Sequence, residues 1–93
     1  MNQLTRTMAV EWGPFNVQVN AVCPTVVLTE MARRVWDDPA RAAERAEKEQ
    51  RIPVHRFGEP QDVADAVAYF ASPASDFING VALPIDGGLL AMP

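Results

Sequence analysis

Two segments decide the fold of this chain: Asn16-Val17-Gln18-Val19-Asn20-Ala21-Val22 and Val81-Ala82-Leu83-Pro84-Ile85. The first alternates polar and apolar residues, which is typical of a strand, and its apolar residues fall on both faces, as in an interior strand of an α/β sheet. The second is a short strand that Pro84 limits to an edge or a non-bonded position. About 60 residues with helical patterns separate the two segments, so the strands run parallel if they share a sheet.

A helix is predicted before the first strand. Leu4, Met8 and Trp12 recur at four-residue spacing and form one apolar stripe over residues 2–12. Gly13-Pro14 ends this helix, because glycine accepts the left-handed conformation after a helix end and proline cannot continue a helix.

Three further helices are predicted between the strands. Thr29 is suited to cap a short helix that ends at Val35 or Trp36. Asp37-Asp38-Pro39 starts a charged helix that runs to about Gln50, with Asp as N-cap and Pro at the first helical position. Glu59-Pro60 opens the last helix, whose apolar residues at i, i+3, i+4 and i+7 predict a buried stripe: Val63, Ala66, Val67 and Phe70.

The composition argues against several classes of function. The formal net charge of −4 in 93 residues does not suit a nucleic-acid partner, which requires a basic face. The single cysteine, Cys23, excludes an internal disulfide and indicates a reducing compartment. No apolar stretch approaches the ~20 residues of a transmembrane helix, and the N-terminus has no signal-peptide core. These features predict a cytoplasmic protein without a membrane or nucleic-acid partner. They also indicate no metal site, since one His and one Cys lack ligand spacing.

Four motifs, in this order along the chain, resemble the C-terminal portion of the short-chain dehydrogenase/reductase family. The first motif comprises residues 4–14 and 17–22, and the second comprises residues 24–31. The third is Arg56-Phe57-Gly58-Glu59-Pro60 followed by Asp62-Val63-Ala64. The fourth is Asn79-Gly80 followed by Ile85-Asp86-Gly87-Gly88. The family usually has Pro-Gly where this chain has Pro24-Thr25. Pro-Thr-Val-Val followed by Thr29 is more similar to the carbonyl reductase and L-xylulose reductase branch, as are Trp36-Asp37-Asp38-Pro39 and Ile52-Pro53.

The resemblance implies an α/β fold, namely the C-terminal part of a Rossmann-like, doubly wound parallel sheet. Residues 1–93 would supply its last two strands with their flanking helices: the nicotinamide-side loop, the substrate lid, the last helix and the last strand. The N-terminal half of that fold would be absent, and Met1 would be an internal residue of a longer parent.

The family's catalytic groups have no counterpart here. The family uses a Tyr and a Lys four residues later for proton transfer, and a Gly-rich turn that binds the pyrophosphate of the cofactor. In this chain the single tyrosine, Tyr69, is followed four residues later by Pro73, and the single lysine is Lys48. The five glycines lack phosphate-loop spacing. No residue is therefore assigned as catalytic, and the chain alone is expected to be inactive.

What remains, by resemblance, is one wall of a site for NAD or NADP and a small carbonyl or alcohol substrate. The backbone of Val27 would bond the nicotinamide carboxamide, the Thr29 hydroxyl would reach the carboxamide or pyrophosphate, and Pro24 and Thr25 would line the ring. Asn20 would stabilise the turn after the first strand. The substrate lid would contain Met31, Val35 and Trp36.

Each of these assignments has a simpler interpretation. Thr29 is suited equally to capping a helix, and both roles can hold at once. Met31, Val35 and Trp36 have a spacing that also fits core packing. His55 fits a solvated loop, and Cys23 fits a small buried apolar residue.

Two functions remain open from the sequence. The chain is either a portion of an NAD(P)-dependent oxidoreductase that interconverts a carbonyl and a secondary alcohol, or a non-catalytic module for oligomerisation. In this family the last helix and strand often form subunit interfaces, so a homodimer or homotetramer is expected. An isolated chain would be poorly soluble or oligomeric, because the first strand would expose an apolar edge.

Overall fold

The computed structural model describes residues 2–93. Four α-helices and two strands follow one another in the order α1, β1, α2, α3, α4, β2. Their bounds are α1 Asn2–Trp12, β1 Ala21–Pro24, α2 Glu30–Trp36, α3 Ala42–Arg51, α4 Pro60–Phe70 and β2 Ala82–Ile85. Single 3-10 turns occupy Gly13–Phe15, Pro39–Arg41, Pro73–Ser75 and Leu89–Ala91. The predicted α/β class and the order of its elements are confirmed.

The two strands form a parallel sheet, as predicted, with Ala21 opposite Ala82 and Pro24 opposite Ile85. Their bounds differ from the prediction. The first strand was expected over residues 16–22, but the ladder begins only at Ala21 and continues through Cys23 and Pro24. Alternating polar and apolar residues predict an extended backbone. They do not show which of these residues pair with another strand, and here only residues 21–24 lie beside β2.

Two asparagines join the chain ahead of β1 to the loop ahead of β2. Asn20 donates through Nδ2 to the Ile78 carbonyl at 3.1 Å and accepts from Val81 N–H at 3.0 Å. Asn79 accepts from Val19 N–H at 2.9 Å and donates to the Ala9 carbonyl of α1 at 3.1 Å. These side chains satisfy backbone groups that a ladder would otherwise pair. The expected role of Asn20 after the first strand is therefore wrong, since Asn20 acts at the entry of β1.

The end of α1 also differs in detail from the prediction. The helix stops at Trp12, as expected, but Gly13 lies in a 3-10 turn. The left-handed residue is Asn16, with a φ of 61°, and its N–H donates to the Gly13 carbonyl at 2.9 Å. Asparagine tolerates this conformation better than other residues with a side chain, so it takes the role expected of Gly13.

The helix starts predicted from capping residues are confirmed. Thr29 caps α2, and Asp38 caps the 3-10 turn that leads into α3, with Pro39 at its first position. Helix α4 begins at Pro60. Its stripe is less buried than predicted: Val63, Ala66 and Phe70 are half-buried, and Val67 is exposed. The neighbouring elements of the chain therefore cover this face of α4 only in part.

The hydrophobic core is small. Leu28, Ile52 and Phe57 are buried together, with Val26 and Trp36 packed against them, and Ala9 is buried separately. The Cα radius of gyration is 16.2 Å, whereas a compact domain of this length has about 12 Å. None of the helices between residues 2 and 93 has the length and apolar character that a bilayer crossing requires. The packing that exists is concentrated around the loops that follow β1 and α3.

The C-terminal turn after β2 packs on that core through Gly87. Val54 N–H donates to the Gly87 carbonyl at 3.2 Å. Gly87 has a φ of 62°, and a Cβ atom there would lie 2.6 Å from Val54 Cγ2 and 2.7 Å from Ile52 Cγ2. Only glycine fits this backbone and this space.

Gly87→Ala is expected to lower the free energy of unfolding by about 2–4 kcal/mol, because it adds a left-handed side chain and displaces buried Ile52. Urea unfolding followed by far-ultraviolet circular dichroism measures the change. The matched control is Gly13→Ala, whose new Cβ would meet only Asn79 Nδ2 at 3.4 Å. Equal effects of the two substitutions would contradict the packing role of Gly87.

Candidate functional site

The loop after β1 is held from both sides by backbone hydrogen bonds. Thr25 N–H donates to the Ile85 carbonyl at 3.3 Å, which continues the ladder with β2. Farther along, Gly58 N–H donates to the Val26 carbonyl at 2.9 Å, and Leu28 N–H donates to the Gly58 carbonyl at 2.8 Å. The loop therefore behaves as a third extended segment, fixed to the turn before α4.

Val27 is the centre of this parallel bridge with Gly58. Because Gly58 bonds the residues before and after it, the N–H and C=O of Val27 point to the opposite side. The Val27 carbonyl accepts from Thr29 N–H at 2.8 Å. Nothing within residues 2–93 accepts a hydrogen bond from Val27 N–H. A backbone donor is thus left available at the carboxyl end of a parallel strand.

Thr29 combines a structural contact with an available proton. Its Oγ1 accepts from Ala32 N–H at 3.2 Å, and its carbonyl accepts from Arg33 N–H at 2.9 Å, so it caps α2. A hydroxyl accepts and donates at once. The hydroxyl proton of this exposed residue can therefore still serve a ligand, and the two interpretations of Thr29 are compatible.

The predicted cofactor-binding residues lie along one edge but do not line one cleft. Pro24 and Thr25 are exposed at the end of β1, and Val27 is half-buried. Thr29 lines a shallow cleft of about 300 Å³ together with Met31, Glu30 and Arg34. The structure therefore brings Thr29 and Met31, one predicted cofactor residue and one predicted lid residue, to the same surface.

The three predicted lid residues occupy different environments on α2. Met31 is 77% exposed and Val35 is also exposed. Trp36 packs edge-on against Phe57, with ring centroids 5.3 Å apart, and contacts the buried core. Met31 and Val35 are therefore free to contact a ligand, whereas Trp36 anchors the end of the helix.

Arg45 of α3 reinforces that anchor. Its guanidinium donates to Asp37 Oδ1 at 2.9 Å, to Glu49 Oε1 at 2.6 Å and, at 3.4 Å, to the Trp36 carbonyl. It also lies 5.7 Å from the centroid of the Phe57 ring. Hydrogen bonds to Glu49 and Asp37 raise the pKa of Arg45. The end of α2 is thereby tied to both α3 and the core.

Sequence reasoning placed Arg56, Glu59 and Asp62 in a family motif but missed the contacts by which they hold the turn before α4. Arg56 donates to Asp62 Oδ2 at 2.9 Å and to Oδ1 at 3.3 Å, and Glu59 N–H donates to Asp62 Oδ2 at 2.8 Å. The hydrogen bond from Arg56 is the main cause, and that from the Glu59 N–H the second, of the lowering of the Asp62 pKa to about 2. Arg33 of α2 reaches Glu59 at 2.6 Å from the other side. The signal in the sequence was a loop glycine, Gly58, which often marks close approach of another backbone.

The remaining candidate residues show no chemistry of their own. His55 is an exposed loop residue with a φ of 58° and lines a cleft of about 490 Å³ beside Asp37 and Arg45. Cys23 is half-buried within β1. Among residues 2–93, no group of three His, Cys, Asp or Glu side chains is placed to hold a metal ion.

Comparison with known proteins finds one family along nearly the whole chain. The sequence model described as enoyl-(acyl carrier protein) reductase matches residues 1–90. L-xylulose reductase of Bos taurus is 43% identical over 91 residues, which are 98% of this chain and 36% of that protein. D-threitol dehydrogenase of Mycolicibacterium smegmatis is 42% identical over 85 residues, 91% of this chain and 31% of that protein. The chain spans about a third of the length of these relatives, and the predicted similarity to L-xylulose reductases is confirmed.

Solved structures give the same result. Gluconate 5-dehydrogenase from Burkholderia cenocepacia, in complex with NADP and tartrate, superimposes with a TM-score of 0.83 and 34% identity, over 99% of this chain and 35% of that one. A C-terminal deletion mutant of Thermoplasma acidophilum aldohexose dehydrogenase superimposes with a TM-score of 0.85 and 37% identity, over 98% of this chain and 42% of that one. The six elements described above therefore correspond to part of a larger α/β fold in these proteins.

The Arg56–Asp62 contact predicts how stability depends on pH. The folded-state pKa of Asp62 is about 2, below the value of about 3.9 for an unfolded Asp. The contact therefore stabilises the fold above pH about 4, and this contribution is lost as the pH falls toward about 2. Urea unfolding at several pH values should show a steeper acid loss for the wild type than for Asp62→Asn.

Asp65→Asn is the matched control for this experiment. Asp65 lies on the same helix and bonds Gln61 at 2.6 Å rather than Arg56. Its variant should keep the acid profile of the wild type. If Asp62→Asn keeps that profile as well, Arg56 and Asp62 do not hold the turn in solution.

Proposed function

Because the chain belongs to the short-chain dehydrogenase/reductase family, we propose that it forms the nicotinamide-side part of an NAD(P)-dependent oxidoreductase. That protein interconverts a carbonyl and a secondary alcohol by hydride transfer. The segment from Pro24 to Thr29 is the cofactor edge. Met31 and Val35 form one side of the substrate lid, and Trp36 anchors that lid to the core. Tyr69 and Lys48 lack the family's catalytic spacing, so this chain supplies orientation and no catalytic acid.

The observation that carries the proposal is the available N–H of Val27. It lies at the carboxyl end of β1, where open α/β sheets bind their ligands. The Gly58 bridge fixes the direction of this N–H. A carboxamide oxygen is a suitable acceptor for a rigid backbone donor of this kind.

The role of these residues is positional. Bound nicotinamide supplies or accepts the hydride. Val27 N–H and the Thr29 hydroxyl would hold the carboxamide, and Pro24 and Thr25 would line the ring. Fixing the ring in this orientation before reaction lowers the entropic part of the barrier. Met31 and Val35, which are exposed on α2, reduce access of water when a substrate is bound.

A fusion protein tests this proposal. Residues 1–93 are joined to the N-terminal part of bovine L-xylulose reductase, at the position where the 91-residue match begins. The fusion is expected to oxidise NADPH or NADH with a small carbonyl substrate, either L-xylulose or an oxo acid, whereas the 93 residues alone are expected to show no such activity. A folded but inactive fusion would contradict the proposed cofactor edge.

Two Thr29 variants in the fusion separate the cap from the ligand role. Thr29→Ser keeps the hydroxyl, whereas Thr29→Asp keeps the cap but has no proton to donate at neutral pH. The Asp variant should raise the KM for the cofactor about tenfold or more, and the Ser variant should leave it near the wild-type value. Equal KM values in both variants would show that Thr29 caps α2 without contacting the cofactor.

A second function, association with a second copy or with a full-length relative, is supported by exposed apolar side chains near the last helix and strand. Val67 and Tyr69 of α4 are exposed, and Phe77 is fully exposed. This supports a dimer or tetramer built through α4 and β2. The two functions differ in their need for cofactor, since an assembly module would form a stable complex of the 93 residues without NAD(P).

A further inference from the structure

A cleft of about 290 Å³ opens beside the proposed cofactor edge. Its lining combines the loop after β1, the end of α3 and the C-terminal turn: Thr25, Val26, Lys48, Arg51, Ile52, Phe57 and Leu89. Thr25 belongs at once to this cleft and to the wall proposed for the nicotinamide ring. A molecule in the cleft would therefore lie next to the reacting part of the cofactor.

The floor of the cleft is apolar and well ordered by packing. Ile52 is 5% exposed and Phe57 is 2% exposed, and both belong to the core cluster. Val26 and Leu89 are half-buried beside them. Such a floor favours a hydrocarbon stem or ring over a polyhydroxylated chain, because hydroxyl groups there would lose water without gaining partners.

The rim of the cleft carries two cations from α3. Lys48 Nζ lies 6.0 Å from the centroid of the Trp36 ring, and no carboxylate among residues 2–93 forms an ion pair with it. Arg51 bonds Glu47 at 2.8 Å, but both side chains are largely exposed. Exposed ion pairs of this type are weak, so a ligand carboxylate can replace Glu47.

We propose that this cleft selects carbonyl substrates that carry a carboxylate on an apolar stem, with Lys48 and Arg51 as the groups that recognise the carboxylate. The inference rests on the proposed function, because Thr25 connects the cleft to the cofactor edge. An amphipathic anion can contact both the apolar floor and the cationic rim. A neutral sugar lacks the charge for the rim and the apolar surface for the floor, and a cation is repelled by Lys48 and Arg51.

Binding of a stable oxo acid tests the proposal without requiring catalysis. The probes are 4-oxo-4-phenylbutanoate and its methyl ester, which differ in charge but share the carbonyl and the ring. Each is titrated into the ¹⁵N-labelled fusion protein, and the amide shifts of Thr25, Val26, Lys48 and Arg51 report binding in the cleft. The acid is expected to bind at least about fivefold more tightly than the ester.

Variants assign the selectivity to the rim. Lys48→Met should weaken binding of the acid about fivefold and leave the ester unchanged, whereas Lys48→Arg should keep the preference. Arg6→Met removes the same charge from exposed α1 and should change neither. Equal affinity for acid and ester, or equal effects of Lys48→Met and Arg6→Met, overturns the proposal.

The active fusion distinguishes this inference from the function on which it rests. The ratio of kcat/KM for the acid to that for the ester should fall about fivefold with Lys48→Met. A fusion that is active but does not discriminate between the probes would contradict the proposed carboxylate selectivity of the cleft and leave the cofactor edge unaffected. A fusion that is inactive but still binds the acid more tightly than the ester would contradict the cofactor edge and support the carboxylate selectivity of the cleft.

Discussion

The bridge between Val27 and Gly58 is the constraint on which the candidate site depends. Gly58 donates to the residue before Val27 and accepts from the residue after it, so the backbone of Val27 is held in one orientation. A Cβ at Gly58 would lie in van der Waals contact with the Val26 carbonyl oxygen, 3.4 Å away, so the two backbone segments lie close together. The same contact places Leu28 and Phe57 in the core and brings Thr29 to the start of α2.

Polar contacts that are distant in sequence support this bridge. Asn20 and Asn79 hold the entry to β1 against the loop before β2, which fixes where β1 begins. Arg56 and Asp62 hold the turn that contains Gly58, and Arg33 with Glu59 joins α2 to the start of α4. The cofactor edge is therefore positioned at both ends by hydrogen bonds and ion pairs, while the small core holds its centre.

The local features of the chain were predictable, and the long-range ones were not. Thr29, Asp38 and Pro60 mark helix starts through capping and fixed φ angles, which depend on neighbouring residues alone. The parallel pairing followed from the long crossover. The predicted first residue of β1 was wrong because Val19 N–H bonds the Asn79 side chain and the Asn20 side chain bonds the backbone of Ile78 and Val81. Periodicity carries no information about such contacts. The burial of α4 was overestimated because burial depends on what covers the helix.

The site divides in the same way. The motif from Pro24 to Thr29 named the cofactor edge by resemblance, but the role of Gly58 required the fold, since Gly58 lies about 30 residues away in the sequence. Trp36 was assigned to the lid by resemblance, although its spacing also fitted core packing, and its contact with Phe57 could only be seen in three dimensions. Lys48 and Arg51 lie on a charged helix face whose sequence shows nothing of the apolar floor beneath them.

The most direct test of the account is a crystal structure of the fusion protein with bound NADP. The account predicts a hydrogen bond of about 2.9 Å from Val27 N to the carboxamide oxygen, with the Gly58 bridge intact and Thr25 against the nicotinamide ring. A nicotinamide ring held by other groups, with Val27 N–H facing water, would contradict it.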